Sequence, residues 1–470
     1  MPQKSAAPLF LLTRHWRDTA AGLEVVLWAG GGEGRPARIH LRGQQAVCFI
    51  PRAITDEKIA ALAQNYQRRR LKLKTLDGGD ADAVYFSRQS DLLEFRRRAQ
   101  HHGIALYESD VKPADRFLME RFITGAFTVH GEARHQDGFT VFTNPRLRRA
   151  SHKPAFRVLS LDIETGRDGR LYSAAAADDG AEKVFVVNDG TQKKGGVTHG
   201  GLPVVFVRDE TQLLTEFFRW LRRRDPDVLI GWNVVNFDLD VLQRACARLN
   251  VPFDIARGGE RAAVVRRENQ TQTNIARLPG RVVLDGIETL RAAFWNFESF
   301  RLEFVARQLL GRGKALADSG DKMGEIERLY RDAQFELAHY NLEDCRLVRE
   351  IFAHTDLVNF TATRTALTGL ALGRHGGSVA AFDNLYLPRL HRAGYVAPDL
   401  DPSRAANAES SPGGYVLDSR PGLYRNVLLL DFKSLYPSII RTFKVDPLGM
   451  QLGGDGDGGG TPKAGNLMDS

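Results

Sequence analysis

The residues best suited to chemistry are acids, and they fall into three short groups. The first lies in segment 157–165, RVLSLDIET. In a strand, side chains alternate between faces, so Leu159, Leu161 and Ile163 share one side and Asp162 and Glu164 the other. Two adjacent carboxylates on a buried strand repel each other and lose hydration, and a divalent cation removes that penalty. Chance acids on an exposed strand face are the competing reading. The second group is segment 227–238, DVLIGWNVVNFD, in which an apolar strand runs into a loop and a helix starts near Asp238. Asp is also a common helix N-cap, which gives Asp238 an ordinary structural alternative. The third is segment 339–348, HYNLEDCRLV, where Tyr340 and Asp344 are four apart and share a helix face. Asp285, after another apolar strand, is a candidate fifth acid.

A fourth feature lies near the C-terminal end. In segment 427–440, VLLLDFKSLYPSII, an apolar run reads as a strand ending in Asp431, followed by a turn. Pro437 stands where a helix can begin. A core strand with a capping acid would account for part of this pattern.

Taken in order, D-x-E on a strand, N-x-x-x-F-D at a strand–helix junction and Y-x-x-x-D on a late helix resemble the three motifs of proofreading 3′→5′ exonucleases. That is the DEDDy group, with a ribonuclease H-like fold. The resemblance implies that Asp162, Glu164, Asp238 and Asp344 hold two Mg2+ or Mn2+ ions and that Tyr340 orients the attacking water. It implies Asn233 and Phe237 as contacts to the DNA strand. Segment 431–440, DFKSLYPSII, resembles motif A of family B DNA polymerases. That likeness implies metal binding by Asp431, packing of Tyr436 under the incoming sugar, and backbone near the triphosphate from Phe432 to Leu435, with Ser434 and Leu435 as substrate-binding residues. Segment 413–416, GGYV, is similar to the linker between exonuclease and palm in that family. Segments 10–18 (FLLTRHWRD), 116–124 (RFLMERFIT), 293–297 (AFWNF), 374–382 (RHGGSVAAF) and 391–398 (HRAGYVAP) resemble its bacterial members. The likeness runs from about residue 9 to 449.

The family also uses a fingers motif, K-x-x-x-N-S-x-Y-G, and a second palm motif, Y-G-D-T-D. Neither follows here, and Asp431 alone cannot assemble a two-metal synthesis site. The expectation is a chain that keeps exonuclease activity and by itself lacks template-directed synthesis. A shortened gene reading, a split gene whose C-terminal product complements this one, and a genuine short protein are the three origins considered. Deoxynucleoside triphosphate is then a partner only if the palm is completed. Single-stranded and primer-template DNA are the expected partners.

The elements that must position these residues read as a mixed α/β chain. Leu23–Trp28 and Ala46–Ile50 read as strands, and a helix begins near Asp91. From 155 to about 356, strands (Val204–Val207, Val228–Ile230, Val282–Leu284) alternate with helices carrying Leu213, Leu214, Phe217, Phe218 and Leu221, then Leu239, Leu242, Cys246 and Leu249. The domain reading is an α+β N-terminal domain (1–150), a ribonuclease H-like exonuclease domain (151–360), a connector (361–410), the start of a polymerase palm (411–450) and a disordered tail (451–470). Residues 144–154 read as a basic linker and 404–414 as a polar connector. Residues 256–281 are polar and Arg-rich, a solvated loop or, by resemblance, a hairpin that moves a primer end between sites.

With 43% hydrophobic and 26% charged residues, composition excludes a fibrous or mainly disordered chain. Lys+Arg 65 against Asp+Glu 57 leaves +8, which permits a polyanionic partner without requiring one. The basic runs 68–74 (RRRLKLK) and 96–98 (RRR) suit phosphate contacts or, more ordinarily, a solvated helix face or strand edge. Three cysteines without a C-x-x-C pair argue against a thiolate zinc site or redox dithiol. No apolar run approaches the ~20 residues of a membrane span, and the reading is a cytoplasmic, nucleoid-associated protein. Segment 310–314, LGRGK, is not a phosphate-binding loop, because Gln308 and Ala315 break the required pattern. Competing functions are trimming of RNA 3′ ends and a catalytically weak DNA-binding remnant whose basic clusters hold single strands.

Overall fold

A computed structural model describes residues 7–32, 34–188, 190, 195–199, 201–266, 274–313, 321–400 and 417–454. The chain divides into two compact units. One comprises Met1–Arg17, Glu24–Arg42 and Phe117–Asn384; the other comprises Asp18–Leu23, Gly43–Arg116 and Leu385–Ser470.

The first unit holds two seven-stranded sheets. One runs Arg146–Arg149, Ala126–His130, Leu9–Thr19, Gly22–Gly30, Ala37–Gln44, Phe139–Thr143 and Ala133–Gln136. Residues 146–149, expected to be linker, therefore form a strand paired with Ala126–His130. Leu147 alternates inward between exposed arginines, which lets a basic segment serve as an edge strand.

The other sheet carries the acids. Its order is Gly195–His199, Leu202–Val207, Glu182–Val187, Leu171–Ala177, Val158–Thr165, Val228–Gly231 and Val282–Asp285. Val158–Thr165 pairs antiparallel with Leu171–Ala177 and parallel with Val228–Gly231, which is in turn parallel to Val282–Asp285. Helices Glu210–Arg224 and Asp238–Leu249 cover one face, burying Leu213, Phe217 and Leu242 with Leu159, Leu161 and Ile163. Helix Gln334–His354 covers the opposite face through Ala338, Leu342 and Cys345. The run Ser173-Ala-Ala-Ala-Ala177 suits this arrangement. Ala174 and Ala176 join one core and Ala175 and Ala177 the other. Such small side chains allow helices to approach closely on both faces. Asp209 caps the first helix by accepting from the Gln212 N–H at 2.8 Å.

Residues 263–265 and 275–277 form a two-stranded antiparallel hairpin within the 256–281 segment; residues 267–273 lie outside the described residues.

The second unit is built on a four-stranded sheet in the order Tyr395–Val396, Tyr66–Thr75, Asp80–Phe86, Ala46–Pro51. Its basic runs meet acids. Arg68 pairs with Asp82 and Asp56, Arg97 and Arg98 with Glu94, and Arg96 with Asp399. Buried Glu108 accepts from Arg116 at 2.9 Å and from the Ala397 N–H at 3.0 Å, with His391 Nε2 at 2.8 Å. Burial would raise the Glu108 pKa, but His391 and Arg116 hold it below its ordinary value.

Residues 417–454 contain helices Leu435–Phe443 and Pro447–Gly454. Pro437 lies in the first turn of the former, as expected. The strand expected at 427–430 is absent. Leu428, Leu429 and Leu430 lack regular structure and face solvent, with Leu429 93% exposed. An apolar run forms a strand only where neighbouring strands accept its backbone hydrogen bonds, and no described strand does so here. The segment is held instead at Asp446, whose Oδ1 accepts from the Tyr386 hydroxyl at 2.7 Å. The connector at 404–414 and the 413–416 linker lie outside the described residues. So does the tail from 455; Gly453 and Gly454 end the last helix.

Candidate active site

Parallel strands Val158–Thr165, Val228–Gly231 and Val282–Asp285 end on the same side of their sheet, and that edge is where the acids gather. In open α/β sheets ligands bind beyond the carboxyl ends of the strands. Asp162 and Glu164 sit on the first strand, on the face opposite the Leu159–Leu161–Ile163 core. Helix Gln334–His354 crosses that face and brings in Asp344. One oxygen each from Asp162, Glu164 and Asp344 lies within 4.8 Å of the others. Glu164 and Asp344 are buried and Asp162 is partly exposed. At an effective dielectric constant near 20, two full charges at such a distance repel by about 3 kcal/mol.

Asp238 is the first residue of its helix and is 1% exposed. It does not serve as a side-chain N-cap; the cap residue is Phe237, which makes no side-chain cap bond. Its Oδ1 instead accepts the Ile163 N–H at 3.1 Å, which ties it to the strand between Asp162 and Glu164. Burial drives its pKa well above the usual carboxylate range. Its own N–H and that of Ile163 oppose the rise, and the Glu164 and Asp285 charges add to it.

Asp285 ends the last parallel strand and caps the helix Gly286–Ala292, its Oδ1 accepting from the Ile287 and Glu288 N–H groups. Burial pushes its pKa up to about 6. Its Oδ2 is buried with no hydrogen-bond partner. The converging carboxylates of Asp162, Glu164 and Asp344 form an oxygen-only donor set of the kind hard divalent cations bind.

A buried contact absent from the motif reading orders this cluster. Asn341 Nδ2 donates to Asp162 Oδ2 at 2.6 Å, and Asn341 Oδ1 accepts from the Ser173 hydroxyl at 2.9 Å. Both Asn341 and Ser173 are fully buried. Asn341 stands one residue after Tyr340 in the quoted motif, but its partners are 168 and 179 residues away in sequence. Local spacing carries no signal of that kind.

The remaining candidates are placed as follows. Tyr340 is buried against Ile326, Leu329 and Leu337, with the Lys322 ammonium 5.6 Å from its ring centre. Asn233 is exposed at positive φ (59°), its Oδ1 accepting from Asn236 Nδ2 at 3.3 Å. Phe237 is 43% exposed at the mouth of the same loop. Asp431, Ser434, Leu435 and Tyr436 are exposed in the 417–454 segment, and among the described residues Asp431 joins no acid cluster.

Comparison with known proteins bears on this geometry. The family described as DNA polymerase family B, exonuclease domain, matches residues 104–305. DNA polymerase II, N-terminal, matches 10–45, and DNA polymerase family B matches 375–452. DNA polymerase II of Escherichia coli (strain K12) is 41% identical over 449 residues. Over most of its length the chain is similar to family B DNA polymerases of the DNA polymerase II type. The alignment takes in 94% of this chain and 56% of that relative, so the chain spans about half the relative's length. A DNA polymerase of Desulfurococcus sp. (strain Tok) is 26% identical, covering 84% of this chain and 48% of the relative. Among solved structures, the family B DNA polymerase of Pyrobaculum calidifontis superposes with a TM-score of 0.72 at 21% identity. That match covers 94% of this chain and 57% of that one, and it supports the fold. The exonuclease match contains Asp162, Glu164 and Asp238, while Tyr340 and Asp344 follow it. Among the described residues, no helix is long and apolar enough to cross a membrane.

Proposed function

We propose that this chain removes nucleotides from the 3′ end of single-stranded DNA, using two Mg2+ or Mn2+ ions held by Asp162, Glu164, Asp238 and Asp344. The observation that supports this most is the convergence of Asp162, Glu164 and Asp344 within 4.8 Å at the carboxyl ends of parallel strands. When bound, the ions supply a lowered water pKa and neutralise charge at the leaving oxygen of an in-line displacement. The protein's own contribution is positional. Asn341 fixes the rotamer of Asp162. The Ile163 N–H holds Asp238 against the same strand. Tyr340, one helical turn before Asp344, orients the attacking water, and its packed ring restricts where the hydroxyl can go. Asn233 and Phe237 contact the departing strand from the loop above, and the paired strands 263–265 and 275–277 guide the primer end. No histidine base is needed in this scheme.

Asp431, Ser434, Leu435 and Tyr436 belong, on this reading, to a deoxynucleoside triphosphate site. Further palm strands pairing with residues 427–431 would complete that site. On this reading the exonuclease site degrades single-stranded and primer-template DNA ends in the cytoplasm, at the nucleoid. The test is release of 3′ mononucleotides from matched single-stranded DNA and RNA by purified protein, with and without Mg2+. The expected outcome is metal-dependent release from DNA that Asp162→Ala abolishes. Unchanged release by Asp162→Ala sinks the site, and faster release from RNA sinks the substrate assignment.

A further inference from the structure

Helix Gly286–Ala292 begins beside the acidic site and ends in a hydrogen-bond pattern that ordinarily selects glycine. The Phe294 N–H donates to the Arg291 carbonyl and the Trp295 N–H to the Leu290 carbonyl, both at 3.0 Å. This is the paired 5→2 and 6→1 closure in which the residue after the C-cap adopts the left-handed conformation. That residue is Phe294, with φ at 63°. A bulky residue there is disfavoured by its Cβ. Burial does not offset this, because Phe294 is 92% exposed. The position is unfavourable for the fold in both backbone and side chain, and strain of this kind gathers at functional sites.

The residues that follow Phe294 add further aromatic rings. Trp295 is 38% exposed and lies parallel to Phe297, with centroids 6.1 Å apart and planes 2° apart. Phe297 meets Phe300 edge to face at 5.5 Å. The Phe300 carbonyl accepts from Trp232 Nε1 at 2.9 Å. Trp232 immediately precedes Asn233 in the loop that leads to Asp238, and its ring lies over Gly286, where an added Cβ would come within 2.6 Å. Trp295, Phe297 and Phe300 thus form a row of ring contacts that a Trp232 side-chain hydrogen bond to the Phe300 backbone ties to the Asn233–Asp238 loop.

We propose that Phe294 and Trp295 form a stacking platform for the bases of single-stranded DNA upstream of the 3′ end. Every base presents a π-face, so flat aromatic rings suit a strand of any sequence. Aromatic side chains suit protein contacts as well, and the affinity measurement below separates the two. The direction of the strand rests on the exonuclease reading above; the binding itself does not.

The test is the affinity of full-length protein for fluorescein-labelled (dT)16 in Ca2+, by anisotropy, together with thermal melting. Phe294→Gly restores the residue that the helix end favours and removes the ring. Its melting temperature is expected to equal or exceed that of the parent, with DNA affinity reduced about tenfold. Trp295→Ala, which leaves the left-handed position untouched, is expected to weaken binding similarly. Affinities within twofold of the parent for both variants, the result expected if another protein covers this face, overturn the proposal. So does a clear loss of heat stability in Phe294→Gly, because the ring would then be structural. Absence of Mg2+-dependent 3′ release by the parent protein would overturn the nuclease reading while leaving this binding result to stand by itself.

Discussion

Asp162 and Asp431 each follow an apolar run, and each belongs to a motif that resembles a metal ligand, yet the molecule treats them oppositely. Around Asp162 the strand has partners on both sides, helices on both faces, and an amide 2.6 Å from the carboxylate. Around Asp431 the three preceding leucines are exposed, no described strand flanks them, and the adjoining helix Leu435–Phe443 buries no residue. A motif states which side chains are wanted. The sheet beneath it determines whether they meet.

The largest expected difference is in catalysis. Asp344→Ala should lower Mg2+-dependent 3′ release by about 10^3-fold or more, whereas Asp431→Ala should leave the rate unchanged, both measured on single-stranded DNA. A shared loss would erase the contrast between the two regions.

Next is the support beneath Asp162. Asn341→Ala should cost about 10- to 100-fold in activity at limiting Mg2+, as loss of a partner that orients a metal ligand commonly does. Saturating Mg2+ should restore much of that loss, and Asn341→Gln should not, because the longer amide does not fit between Ser173 and Asp162. An equal loss at all Mg2+ concentrations would make Asn341 a folding residue only.

Packing supplies the third comparison. Leu161→Ala, in the core, should destabilise by about 2–5 kcal/mol, while Leu429→Ala, 93% exposed, should stay within about 0.5 kcal/mol. Thermal melts decide this, and a large cost at Leu429 would mean that the segment is packed in solution.

The smallest effect concerns Asp285. Its folded pKa of about 6 exceeds the ordinary 3.8, so the folded state holds the proton more tightly than the unfolded one. Its contribution to stability is complete below pH 3.8 and is lost as pH rises through 6. In EDTA, Asp285→Asn should flatten the decline between pH 4 and 7 by about 1–3 kcal/mol. Parallel curves for the two proteins would mean that Asp285 does not hold its proton more tightly in the folded state.

Part of this arrangement is legible in the residues themselves. The alternation in segment 157–165 assigns Asp162 and Glu164 to the face opposite Leu159, Leu161 and Ile163, because strand geometry is local. The helices at 210–224 and 238–249 follow from apolar spacing. The same local logic misleads at 427–430, where pairing depends on strands elsewhere, and at 146–149, where a basic segment is a sheet edge. Arg68 and Arg96–Arg98 read as free positive charge until their acidic partners, brought in by folding, are seen. Asn341 and Ser173 escape the motif for the same reason, since their contact exists only once helix Gln334–His354 lies on the sheet.

The central claim is that metal binding resides in the sheet-borne acids and not in the exposed motif. Titration of Mn2+ into the parent protein, Asp162→Ala and Asp431→Ala, followed by calorimetry, tests it most directly. Equal binding by the parent and Asp431→Ala, with loss of bound Mn2+ in Asp162→Ala, is the predicted result. Loss of Mn2+ in Asp431→Ala, or full retention in Asp162→Ala, would contradict it.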